Sequence, residues 1–211
     1  MFITKFSFGP LQTNAILIGC PITKKGAIID PSLGSSAAIL QKIAELGLTV
    51  EKILLTHSHW DHFADAASLK KKLNVPLYIH ALDAPNLIKP GSDGLPLFFP
   101  IEGVSVDHFL EEGDLIEIGL LKAEVIHTPG HSPGGVCFYF REESLLISGD
   151  TLFQGSIGKI CFPTSEPEKM WTSLDKLTKL PSETRVVPGH GGDTSIGRES
   201  WLSRAKEIFS E

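Results

Sequence analysis

The chain has 211 residues, 42% hydrophobic, with a net charge of −6, which suits one sizeable domain with a proper core. The acidic balance argues against a phosphate backbone as the main partner, because nucleic-acid binders carry a basic face. No apolar run approaches membrane-spanning length, and three widely spaced cysteines, Cys20, Cys137 and Cys161, do not form a disulfide framework.

The N-terminus, Met1 to Lys5, has no basic segment followed by an apolar stretch of signal length, so the expected location is a reducing cytoplasm with inert, partly buried thiols. Phe2 to Phe8, Asn14 to Cys20 and Ala27 to Ile29 read as strands joined by turns at Gly9-Pro10 and Lys24-Lys25-Gly26. Ser35 to Leu46 reads as a helix with Leu40, Ile43 and Ala44 on one face. A short strand, Lys52 to Leu55, leads into a helix over Ala64 to Leu73 and a strand over Pro76 to Ile79. Residues 85–106, rich in Pro and Gly, read as a long loop. Four strands follow, Asp114 to Ile118, Leu121 to Ile126, Gly135 to Phe140 and Ser144 to Ile147. Pro167 to Leu180 reads as a helix with Met170, Leu174 and Leu177 as its apolar stripe. Arg185 to Val187 is a strand, and Ile196 to Phe209 a closing helix. The order is two similar halves, each with strands then helices. Two sheets packed face to face with helices outside would bury all of these faces.

Five histidines and two aspartates fall at or just after predicted strand ends. They are His57, His59, Asp61 and His62 in Thr56-His57-Ser58-His59-Trp60-Asp61-His62, then His131, Asp150 and His190. Imidazole and carboxylate bind borderline divalent metals such as zinc. Seven such groups exceed one tetrahedral ion and suit two ions sharing a bridge, which makes a water-splitting site. His57 and His59 are two apart, so in extended chain both rings point the same way and can reach one ion. Asp61 and His62 sit where the chain turns into the next helix and can face a neighbouring ion. The carboxylate of Asp150 has two oxygens with which to bridge.

On these residues the chain resembles the metallo-β-lactamase fold superfamily over essentially its whole length. The resemblance implies an α/β fold, an αββα sandwich of two mixed sheets flanked by helices, as a single hydrolase domain over residues 1–211. It implies that His57, His59 and His131 hold the first metal, and Asp61, His62 and His190 the second, with Asp150 bridging. Gly149-Asp150-Thr151-Leu152-Phe153 and Gly155-Ser156-Ile157-Gly158-Lys159 are similar to compact bacterial glyoxalase II (hydroxyacylglutathione hydrolase) proteins. That implies hydrolysis of thioesters such as S-lactoylglutathione by a metal-bridging hydroxide, which Asp61 orients from the second metal. The implied cofactors are two divalent ions, zinc first, with iron or manganese as alternatives. The implied partner is a small-molecule thioester, with glutathione as candidate thiol and Lys159 meeting its carboxylate, and with neither nucleic acid nor membrane. Only 21 residues follow His190, so no C-terminal glutathione-clamping helical domain is expected.

The rivals keep the same residues. A persulfide dioxygenase would hold one iron on His57, His131 and Asp150. Lactonase and phosphodiesterase chemistry suit the same site, whereas a non-catalytic binding module would have lost ligands. Among the remaining residues, His80 and His108 read as structural. His127 stands either behind the ligands or in a structural role, and Asp30 either steadies the cluster from behind or caps a turn. Lys159 is either a substrate contact or a solvated loop lysine.

Overall fold

In the computed structural model, which describes residues 1–210, the strands form two six-stranded sheets and one small hairpin. The first half supplies β1 (Phe2–Phe8), β2 (Thr13–Gly19), β3 (Lys25–Ile29), α1 (Ser36–Leu46), β4 (Thr49–Leu54), α2 (Trp60–Phe63), α3 (Ala66–Leu73), β5 (Leu77–His80), α4 (Ala84–Ile88) and β6 (His108–Leu110). Its sheet runs β1 to β6 in chain order, antiparallel up to β3 and parallel from there. The second half supplies β7 (Leu115–Ile118), β8 (Leu121–His127), β9 (Val136–Phe140), β10 (Leu145–Gly149), β11 (Leu152–Phe153), β12 (Ser156–Ile157), α5 (Pro167–Thr178), β13 (Arg185–Pro188), β14 (Thr194–Ser195) and α6 (Ala205–Phe209). Its sheet is ordered β14-β13-β10-β9-β8-β7, with β10 and β13 its one parallel pair.

Side chains alternate across each strand, and the alternation sorts the core into three layers. On β2, Ile16 and Ile18 face the opposite sheet, while Ala15 and Leu17 face the helices of the first half. On β9, Val136, Phe138 and Phe140 face inward, while Cys137 and Tyr139 face Met170, Leu174 and Leu177 of α5. Strands buried on both faces read as continuous apolar runs, as Ala15 to Ile18 and Val136 to Phe140 do. The result is the αββα sandwich: helices, sheet, sheet, helices.

Beyond short strands such as β6, β11, β12 and β14, three segments depart from the sequence expectation. The Ala64–Leu73 helix begins only at Ala66, because the backbone N–H of Asp65 donates to Pro31 O (3.0 Å) and the preceding residues form the separate turn α2. Residues 85–106 are not all loop, since α4 opens the stretch with a proline in its first turn. The closing helix is two 3-10 turns followed by α6. There the backbone N–H of Gly197 donates to Ser182 O (2.8 Å), and Glu199 accepts from Thr194, Trp201 and Gly155, which pulls the segment out of helical register. Cys20 and Cys137 are buried, but Cys161 is exposed. Among the described residues no helix is long and apolar enough to cross a membrane.

Candidate metal centre

The parallel strands, β3 to β6 in one sheet and β10 with β13 in the other, aim their carboxyl ends at one edge of the sandwich, where open α/β sheets usually place ligands. The chain leaves β4 extended through His57 and His59, and α2 begins at Trp60, which carries Asp61 and His62 into the same space. His131 lies between β8 and β9, Asp150 directly follows β10, and His190 follows β13.

The fold brings all seven residues together. His57, His59 and His131 offer ligand atoms within 4.8 Å of one another, and Asp61, His62 and His190 do the same. Asp150 stands between these triads, with Oδ2 3.4 Å from His131 Nε2 and from His190 Nε2, and Oδ1 3.4 Å from His62 Nε2. Asp61 Oδ2 lies 3.4 Å from both His62 Nε2 and His190 Nε2.

Three of the remaining ring nitrogens are tied down from behind. His131 Nδ1 lies 2.7 Å from Lys159 O, His190 Nδ1 3.0 Å from Leu11 O, and His62 Nδ1 2.9 Å from the Asp30 carboxylate. Such partners fix the tautomer and the ring angle of a ligating histidine. Asp30 also accepts from the backbone N–H of Thr56 (2.8 Å) and its hydroxyl (2.6 Å), so it joins β3 to the start of the cluster and sits behind His62. Thr13 donates to Asp61 Oδ2 at 2.6 Å. Two glycines admit this crowding. A Cβ on Gly189 would stand 2.2 Å from Asp150 Oδ1, and one on Gly158 would stand 1.9 Å from Asp150 O.

The charges divide along the same line as the triads. Burial pushes His57 well below the ordinary imidazole range, takes His59 down to about 3 and lowers His131, so the first triad is neutral and free to ligate. In the second triad burial opposes charge but loses. Asp61 is held at about 2 by His62 and His190, and Asp150 well below the carboxylate range by the same imidazoles. Asp61 and Asp150 in turn raise His62 well above its usual range, and His190 to about 9.

The donor set fits divalent ions. Nε2 of His57, His59 and His131, and Oδ1 of Asp150, are buried without a hydrogen-bond partner. Buried polar atoms are rarely left so. Four in one cluster, of the types that bind borderline metals, are what a divalent ion would satisfy.

Above the cluster lies a cavity of about 750 Å³ that His59, Asp61, His131, Asp150 and His190 help to line. Lys159 lines it too, exposed, with Nζ 6.0 Å from the Phe162 ring centre. Sequence reasoning missed Thr13, Leu11, Phe153 and Phe162, since threonines and apolar residues carry no ligand signature until the fold places them. Phe162 meets His59 and His131 edge-on at 5.3 and 5.6 Å. His80 and His127 stack on each other at 4.1 Å, and His108 stacks on Tyr78 at 4.5 Å, with none of the three joining the cluster.

Residues 8–190 match the family described as Metallo-beta-lactamase superfamily. The hydroxyacylglutathione hydrolase GloC of Haemophilus influenzae is 34% identical over 188 residues, covering 83% of this chain and 84% of that protein. The crystal structure of BLEG-1 B3 metallo-beta-lactamase superposes with a TM-score of 0.87 at 34% identity, covering 96% of this chain and 100% of the other. A di-iron-bound form of TTHA1623 superposes with a TM-score of 0.79 at 38% identity, covering 93% and 96%.

Proposed function

This chain belongs to the metallo-beta-lactamase superfamily, and from that premise we propose a two-metal hydrolase that cleaves thioesters such as S-lactoylglutathione. The observation that carries the proposal is Asp150 standing between two ligand triads, with His59, Asp61, His131, Asp150 and His190 lining one cavity. The choice of thioester rests on the similarity to a hydroxyacylglutathione hydrolase and on the loop from Gly149 to Lys159.

His57, His59 and His131 would hold one ion, Asp61, His62 and His190 the other, and Asp150 both. Zinc is the first candidate, and the di-iron form of a similar protein makes iron the second. Bound divalent ions supply Lewis acidity at a carbonyl and lower the pKa of water. The protein does the rest. Thr13 holds the anionic Asp61 in place for orienting the attacking water, and Asp30 fixes the ring of His62. A thiolate leaves readily, the pKa of a free thiol being about 8.5, so the site needs no strong general acid.

The test is metal content by elemental analysis together with thiol release from S-lactoylglutathione. About two ions per chain and thiol release without oxygen uptake are expected. Iron, oxygen uptake with glutathione persulfide and no thioester cleavage would move the protein to the dioxygenase class.

A further inference from the structure

The cavity is larger and more apolar than a lactoyl group requires. Its volume of about 750 Å³ falls in the usual range for ligand pockets, roughly 300–1,000 Å³. Leu11, Trp60, Leu95, Phe98, Phe153 and Phe162 line it. Their rings form a path from the cluster to the rim. Phe162 lies against His59 and His131, Phe153 lies 6.0 Å from His190, and Trp60 meets Phe98 edge-on at 6.3 Å. At the rim Phe98 is 71% exposed and Leu11 53% exposed. Large apolar side chains gathered at the mouth of a site mark a surface that gains by being covered. Charge is scarce by comparison: Lys159 is the one lysine or arginine among the described lining residues. Of the two carboxylates of a glutathione moiety, this wall offers a lysine or arginine to one at most.

We propose that the cavity takes an apolar acyl chain. The native substrate is a thioester of a medium-length aliphatic acid. The chain lies along Trp60 and Phe98, and the carbonyl stands over the cluster. The proposal rests on the thioesterase reading for the bond that is cleaved, and on the cavity alone for the chain. One water balances the reaction. Its oxygen forms the new C–O bond as the C–S bond breaks, one proton goes to the thiol and the other to solvent.

The metal-loaded protein should be assayed with acetyl, butyryl, hexanoyl and octanoyl thioesters of N-acetylcysteamine, a neutral thiol. In each case kcat/KM should rise about fourfold per methylene until the chain fills the cavity, the equivalent of about 0.8 kcal/mol per buried CH₂. Phe98→Ala should lower kcat/KM for the octanoyl thioester several-fold more than for the acetyl thioester. Since Phe98 is mostly exposed, this variant should fold. Calorimetric titration with butyrate, hexanoate and octanoate tests the chain without any reaction, and affinity should climb with length and drop in Phe98→Ala. Turnover that is flat or falls with length, while all the thioesters are cleaved, overturns the apolar chain and leaves the thioesterase reading standing. Length-dependent carboxylate binding without cleavage of any thioester overturns the reading of the reaction and supports the chain site. Flat carboxylate binding overturns the chain site outright.

Discussion

His131 and Phe98 line the same cavity, yet His131 is 6% exposed and Phe98 71%. The floor is built from the ends of β4, β8, β10 and β13, and distant chain segments pin it: Asp30 holds His62, Leu11 O holds His190, Lys159 O holds His131 and Thr13 holds Asp61. The wall around Leu95 and Phe98 comes from the connection between α4 and β6, where turn bonds such as Leu95 N–H to Asp93 Oδ1 (3.0 Å) are local. Reactive groups need a fixed geometry, so they sit where rigid elements over-determine them. Selectivity can change more freely at a wall whose own bonds are local. The comparison predicts that substitutions in the floor abolish chemistry or folding, while substitutions in the wall change substrate preference.

The largest effect should come from Asp150→Ala. Removing the carboxylate between the triads should lower thioesterase activity by about a thousandfold or more, since the water-activating chemistry depends on both ions. Metal content should fall below two ions per chain. A folded variant with two ions and normal turnover would end the bridged model.

Next is a matched pair of aromatic truncations. Phe63, fully buried in the helix that carries Asp61 and His62, should cost about 3–5 kcal/mol of stability on replacement by alanine. Phe98→Ala should fall within about 0.5 kcal/mol of the parent, as exposed substitutions do. Denaturant unfolding measures both, and equal losses would erase the distinction between floor and wall.

Asp30→Asn probes the support under the floor. Weakening the acceptor behind His62 should lower metal affinity about 10–100-fold, the usual effect of a partner behind a ligating histidine. Chelator competition measures it, and activity should recover with excess metal. Unchanged affinity would reduce Asp30 to a turn residue.

The sequence made the floor legible and the wall opaque, for a physical reason. Few residue types bind divalent metals, and strand-end spacing groups them, so His57 to His190 stand out before any folding. Asp30 stayed ambiguous because a carboxylate after a strand serves a turn as well as a histidine, and only its 2.9 Å contact with His62 decides. The wall residues Leu11, Phe153 and Phe162 look like any core or loop residue until the hairpin β11–β12 and the sheet edge bring them to one place. Elements of two or three residues, such as β6, β11, β12 and β14, are too short to show a period.

The smallest effect is expected at Lys159, which belongs to both regions. Its backbone carbonyl supports His131 in the floor, while its side chain stands exposed at the rim. Lys159→Ala keeps the carbonyl and removes the side chain beyond Cβ, ammonium group included, so the floor should be untouched. An exposed ion pair is worth roughly 0–1 kcal/mol, which corresponds to about a fivefold change at most. KM for S-lactoylglutathione should therefore rise about twofold to fivefold with kcat nearly constant, as when binding common to ground and transition states is lost. The effect should shrink with added salt, because screening weakens an exposed pair. A fall in kcat instead would show that the loop from Gly155 to Lys159 reports to the floor through His131, and that the two regions are mechanically joined.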